Sequence, residues 1–219
     1  MKSVRLIELL TSWQGEGPDS GKTATLARFK RCNRDCPWCD TKIKSRNYIE
    51  TDYTLGNIQD VIDEKKSMLL LTGGEPSYAL NLNQSVTLLN DLEYPLANVE
   101  TNGIGLLDLI SKVNSDKNVK YILSPKLFNK EDSVFYYDLV DKIKSNENVY
   151  VKLVCENREL IFNFLEYLKD IEFPNNRVYL MPEGTTKDSL INNSPFVFDM
   201  CEKYNFNFSS RTHIIYGFI

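Results

Sequence analysis

Ser67-Met68-Leu69-Leu70-Leu71-Thr72-Gly73-Gly74-Glu75-Pro76 is a short apolar run that stops at two glycines and a proline. A run of this length without alternation reads as a strand covered on both faces, and its end reads as a tight turn. Comparable runs recur at 23–31, 96–100, 119–124, 149–154 and 177–181. Segments with helical spacing lie between most of them. The apolar sets are Val86, Leu88, Leu89 and Leu92; then Val134, Phe135, Leu139, Val140 and Ile143; then Leu160, Ile161, Phe164, Leu165 and Leu168. Each fits a 3.6-residue period with one face against a sheet. Strand–helix alternation predicts a mainly parallel α/β sheet, either open and curved or a partial barrel, because about six units fall short of an eight-unit barrel. Residues 2–10 add an N-terminal edge strand. With no linker or repeat in 219 residues, the whole chain, 1–219, is expected to form a single domain.

Sheets of this class place their sites beyond the C-terminal strand ends. Five strand ends carry polar or glycine-rich punctuation: the stretch after Phe29, Thr72–Pro76, Glu100-Thr101-Asn102-Gly103, Ser124-Pro125-Lys126 and Pro182-Glu183-Gly184. These predict one cavity. The charge balance is 26 basic to 30 acidic residues, a net −4, which disfavours a general nucleic-acid binder. The longest strictly apolar runs are about four residues, far short of a membrane span, and no signal-peptide core follows Met1. A cytoplasmic protein without membrane or nucleic-acid partners is expected.

Five cysteines argue against a disulfide framework, and three of them cluster in Cys32-Asn33-Arg34-Asp35-Cys36-Pro37-Trp38-Cys39. Three thiolates in a C-x-x-x-C-x-x-C spacing suit an iron–sulfur cluster with one iron left open. A zinc site completed by Asp40 or His213 is the rival reading. Cys155 and Cys201 read as small buried hydrophobes, and Phe135, Tyr136 and Tyr137 as core and flank.

The cysteine loop, followed by Gly73-Gly74-Glu75-Pro76 at the next strand end, resembles the radical S-adenosylmethionine (SAM) superfamily. Ser12-Trp13-Gln14-Gly15-Glu16-Gly17, Arg28, Cys39-Asp40-Thr41, Thr72, Glu100–Gly103, Ser124–Lys126 and Arg211-Thr212-His213-Ile214 are similar to the ordered motifs of its 7-carboxy-7-deazaguanine synthase (QueE) family. The resemblance runs from about residue 5 to 217. It implies a shortened (β/α)6-type barrel. It also implies a lyase of 7-deazapurine biosynthesis that converts 6-carboxy-5,6,7,8-tetrahydropterin to 7-carboxy-7-deazaguanine with loss of ammonia. The implied cofactors are a 4Fe–4S cluster, SAM used catalytically as a radical source, and magnesium. The implied partners are an external flavodoxin- or ferredoxin-like electron donor and a second copy in a homodimer.

Carried onto this sequence, the resemblance assigns Cys32, Cys36 and Cys39 to the cluster and Thr41 to magnesium, with Asp40 behind it or capping a turn. Trp38, Cys39, Asp40, Gly74, Ser124, Pro125 and Lys126 fall to SAM, with Glu100 and Asn102 as weaker candidates. Trp13, Gln14, Gly15, Glu16, Arg28, Thr72 and His213 fall to the substrate, with Arg211 beside His213. Arg28 can fork onto a carboxylate, and Gln14 can donate to and accept from the amide-like edge of a pterin. Two departures stand out: the C-terminal Gly217-Phe218-Ile219 lacks the family's closing residue, and residues 41–57 form a long loop. A glycyl-radical activase is the rival enzyme, and a zinc-stabilised binding module the rival non-enzyme.

Overall fold

The computed structural model describes residues 2–41, 47–156 and 158–218. The chain divides into two compact units, Met1–Gln14 with Gly21–Tyr121, and Gly15–Ser20 with Ile122–Ile219. No described helix is long and apolar enough to cross a membrane.

The first unit begins with β1 (Ser3–Leu6) and β2 (Glu8–Trp13). The single N-terminal strand expected at 2–10 is therefore two, broken at Ile7, whose N–H donates to the Arg28 carbonyl. β1 pairs antiparallel with β4 (Thr51–Thr54). β2 pairs antiparallel with β3 (Thr23–Phe29) and is the expected edge strand. The long loop expected at 41–57 is corrected: it contains β4 and the start of α1 (Leu55–Lys65), while its residues 42–46 lie outside the described ones. Thr54 caps α1 by accepting from Asn57 N–H, and the helix stops at Lys66 in the left-handed region. β5 (Met68–Gly73) pairs parallel with β3 and with β6 (Ala97–Thr101). Met68–Leu71 are all buried, as an uninterrupted apolar run in a central strand requires. α2 (Leu82–Asp91) and α3 (Leu106–Lys112) complete the unit, and β7 (Val119–Leu123) spans the division.

The second unit holds α4 (Lys130–Ile143), β8 (Val149–Cys155), α5 (Arg158–Asp170), β9 (Val178–Pro182), α6 (Lys187–Tyr204), β10 (Asn207–Phe208) and α7 (Thr212–Tyr216). β8, β9 and β10 pair in parallel. The expected apolar face of α5 is buried throughout. On α4 the expected face is displaced: Val134 and Phe135 are exposed, and Tyr136 is buried with Leu139, Val140 and Ile143. Tyr137 stacks on Tyr167 at 4.2 Å, the flanking role expected of it. α6 runs through Pro195 and so lacks one interior hydrogen bond. Its start is fixed by a capping box between Thr186 and Ser189. Both units are thus mixed α/β with parallel strand pairs, and in neither does a strand pairing among the described residues close a barrel.

Candidate active site

In the first unit the cysteine loop leaves the end of β3 and the Gly73–Pro76 turn leaves the end of β5. These ends are in register, Arg28 against Thr72 and Phe29 against Gly73. Side chains opposite one another in a parallel pair share a face, so Arg28 and Thr72 are neighbours. The two turns then lock together. Gly74 N–H donates to the Phe29 carbonyl at 2.7 Å, and Glu75 N–H to the Arg31 carbonyl at 2.8 Å. A Cβ on Gly74 would lie 2.1 Å from that Arg31 oxygen, so only glycine admits the contact. Asn81 bridges the pair from behind, its amide donating to the carbonyls of Arg31 and Glu75.

Glu75 is the hub of the turn. Its Oε1 accepts from Ser77 N–H, Ser77 Oγ and Thr101 Oγ1, and its Oε2 accepts from Asn102 N–H at 2.5 Å. Burial raises its carboxyl above the ordinary value, while those four donors pull the other way. Glu75→Gln would turn an amide nitrogen toward one of these donors. It is expected to cost about 1–3 kcal/mol of stability, read as a lower urea midpoint; an unchanged midpoint would show that the donors relax freely.

The three loop cysteines form no disulfide and are partly exposed. Cys39 N–H donates to the Cys36 carbonyl, and Arg34 N–H to Cys32 Sγ at 3.4 Å. Asp40 Oδ1 accepts from both the N–H and the hydroxyl of Thr41. Arg28 Nε donates to Glu8 at 2.6 Å. This ion pair uses the inner edge of the guanidinium. Trp13 is half exposed at the end of β2. Gln14 is buried: its backbone is held by Lys22 and Gly21, and its side-chain amide donates to Glu100 at 3.2 Å. Glu100, a weak SAM candidate in the sequence, is thus a partner of Gln14. Asn102 links the Glu75 hub to Asn33 in the cysteine loop, its Nδ2 donating to Asn33 Oδ1 at 2.8 Å.

The second unit gathers the other substrate candidates. Gly15 packs so closely on His213 that a Cβ would lie 2.0 Å from its Nδ1, and Thr212 N–H donates to the Gly15 carbonyl. Glu16 is half-buried between two cations. Lys152 Nζ lies 2.5 Å from Oε2 and Arg211 Nε 2.9 Å from Oε1, with His213 Nε2 at 3.9 Å. Burial opposes ionisation of Glu16, but the charges of Lys152, Arg211 and His213 outweigh it and hold the carboxyl far below its ordinary value. Arg211 also donates to the Gly184 carbonyl at 2.8 Å, tying α7 to the loop after β9. Ser124 and Pro125 are buried, and Lys126 Nζ donates to Ser124 Oγ at 2.8 Å. Cys155 and Cys201 are buried in β8 and α6, and burial pushes their thiols up to about 12 and about 11. Neither is poised to supply the thiolate a metal needs.

Lys152, Asn81 and Ser77 had no place in the sequence reading. Lys152 carried a signal: a lysine between Val151 and Leu153 in an apolar strand is a buried charge in want of a partner. Ser77 and Asn81 look like ordinary turn residues and carried none. Gly217 and Phe218 lie at the C-terminal end of the described residues, and Ile219 falls outside them.

A family model described as the radical SAM superfamily matches residues 27–192. The chain is 28% identical to the 7-carboxy-7-deazaguanine synthase of Hyperthermus butylicus, over 97% of this chain and 92% of that protein. It is 25% identical to the protein of the same name from Rhodopirellula baltica, over 97% of this chain and 86% of that one. Among solved structures, QueE from Escherichia coli matches with a TM-score of 0.61 at 18% identity, over 95% of this chain and 93% of that chain, a likeness of fold.

The matched family implies a 4Fe–4S cluster and SAM. The residues here suit them. Three cysteines outside any disulfide share one partly exposed loop, and Asn33 Nδ2 is a buried donor in that loop with no hydrogen-bond partner among the described residues. The family match runs unbroken from the end of β3 through the cysteine loop and the glycine turn and spans well over half of the chain, which therefore belongs to the radical SAM superfamily.

Proposed function

We propose that this protein is a radical SAM lyase that converts 6-carboxy-5,6,7,8-tetrahydropterin to 7-carboxy-7-deazaguanine with release of ammonia. The carrying observation is the likeness, along 97% of the chain, to proteins named for that product. On this reading residues 1–219 act as one domain. Cys32, Cys36 and Cys39 hold the cluster. Trp38, Cys39, Asp40, Gly74, Ser124, Pro125 and Lys126 contact SAM. When bound, these cofactors supply a 5′-deoxyadenosyl radical that removes hydrogen from the carboxylate-bearing carbon.

The protein's own part is placement. With Glu8 occupying Arg28 Nε, the terminal nitrogens of the guanidinium are the ones to grip the substrate carboxylate. Thr72 stands beside Arg28 on the next strand. Glu16 is held ionised and fixed by Lys152 and Arg211. An ionised carboxylate is an acceptor, the complement of the N–H groups of an aminopyrimidinone edge. Gln14, His213 and the backbone of Trp13 and Gly15 complete recognition of that edge. Thr41, oriented by Asp40, would offer its hydroxyl to a magnesium ion, which would supply positive charge for the substrate carboxylate. The reading extends to a flavodoxin- or ferredoxin-like electron donor and a homodimer, both resting on family resemblance, and to a reducing cytoplasm, which rests on the cysteine pattern.

The test is anaerobic turnover. Reconstituted protein should bind about four irons per chain. With SAM, magnesium, reductant and the carboxytetrahydropterin it should form the deazaguanine acid. An intact cluster without product would reject the substrate and leave the superfamily standing.

A further inference from the structure

The Asn102 side chain is held by a donor of fixed character. The N–H of Ile104 points to its Oδ1 at 3.1 Å, and a backbone N–H can only donate. The Asn102 amide is therefore oriented without ambiguity, and its Nδ2 donates to Asn33 Oδ1 at 2.8 Å. That contact fixes Asn33 in turn, because its oxygen must face Asn102 and its nitrogen must face away. The Asn33 nitrogen is buried and has no hydrogen-bond partner among the described residues. A buried amide donor left unpaired costs about 1–3 kcal/mol, and folded proteins pair nearly all such groups. Asn33 directly follows Cys32, and the Arg34 N–H already points at Cys32 Sγ. The Cys32 thiol itself lies 4.0 Å from Asn33 Oδ1, so the Asn33 nitrogen is left for a sulfur other than that of Cys32.

We propose that Asn33 donates its side-chain N–H to a sulfur of the iron–sulfur cluster, and that Asn102 aims it there. Asn33 is then a positioning residue that sets the reduction potential. It couples the cluster to the Glu75 turn through Asn102, whose own N–H is bonded to Glu75. The inference rests on the cluster assignment above but not on the identity of the substrate. Donation to sulfur favours the reduced, more negative state, so the bond raises the potential.

The experiment is a redox titration of the reconstituted full chain, followed by electron paramagnetic resonance without SAM. Wild-type protein that binds no cluster would reject the cluster assignment, a failure distinct from that of the inference. Given a cluster, Asn33→Ala at wild-type iron content should lower the equilibrium constant for reduction about tenfold, equivalent to about 59 mV for one electron. An unchanged potential would overturn the proposal. So would an unchanged potential with weakened SAM binding, which would assign the acceptor to the SAM carboxylate.

Asn102→Asp leaves the cysteine loop intact and keeps the Ile104 bond, but it places an acceptor against Asn33 Oδ1. The Asn33 amide should then reverse and give its N–H to the introduced carboxylate, which lowers the potential as well. In an Asn33→Ala background the same change should add almost nothing. A full additive drop there would mean a direct charge effect and would overturn the inference. If Asn33→Ala fails to take up iron, Asn33→Asp, which preserves size and the bond from Asn102, replaces it with the same expected direction.

Discussion

Replacing Cys36 with alanine is expected to abolish cluster uptake and turnover together, while Cys155→Ala and Cys201→Ala leave both near wild type. The contrast follows from where the thiols lie. Cys32, Cys36 and Cys39 are partly exposed on one loop. The other two are buried, with thiols pushed up to about 12 and about 11. A cluster ligand must be a thiolate, so neither can stand in when a loop cysteine is lost. The loop cysteine bears little of the core, so Cys36→Ala should melt close to the cluster-free wild type. The measurements are iron per chain, the absorbance of the reconstituted cluster and anaerobic product formation. A wild-type cluster in Cys36→Ala, or its loss in Cys201→Ala, would mean that the ligands have been misassigned.

Glu16→Gln should be the most destabilising of the conservative changes. It removes the carboxylate between Lys152 and Arg211, both largely withdrawn from solvent. Breaking a buried ion pair from one side costs about 3–5 kcal/mol, which for a chain of this size corresponds to a melting point lower by roughly 10 °C. The pH dependence has a definite sign. The folded-state carboxyl is held below its ordinary value of 4.5. Its stabilisation is therefore complete above about pH 5 and declines as pH falls below that value and Glu16 in the unfolded chain becomes protonated. The gap between wild type and Glu16→Gln should accordingly be widest near neutrality and narrower at about pH 3. A gap that stays constant with pH would show that the charge of Glu16 is not what Lys152 and Arg211 require.

The strand ends were legible because apolar runs and glycine turns are local signals. β5 stops at Gly73, where the run meets its two glycines. β4 was illegible: Thr51-Asp52-Tyr53-Thr54 is half polar, and it is a strand because β1 pairs with it. α6 was obscured by Pro195, a helix breaker tolerated within an eighteen-residue helix. On α4, Phe135 looked like core by composition, yet the helix turns Tyr136 inward, a choice made by tertiary packing. The site divides in the same way. Cysteine spacing and the glycine turn name their residues, whereas the partners do not announce themselves. Glu8 holds Arg28, Glu100 holds Gln14, and Lys152 holds Glu16, and each is brought in by strand pairing or by chain return rather than by any motif.

Residues 15–20 belong with the second unit although residues 14 and 21 belong with the first. Gly17 N–H is bonded to Ser209, 192 positions later, and Glu16 is paired with Arg211, 195 positions later. During synthesis that short segment emerges early and must wait for almost the whole polypeptide before its counterparts leave the ribosome. Closing loops of this length is slow compared with local helix and hairpin formation. Ordering of residues 15–20 is thus set by the last part of translation, and a prematurely terminated chain would carry an intact cysteine loop without the partners that fix Glu16 and Gly17.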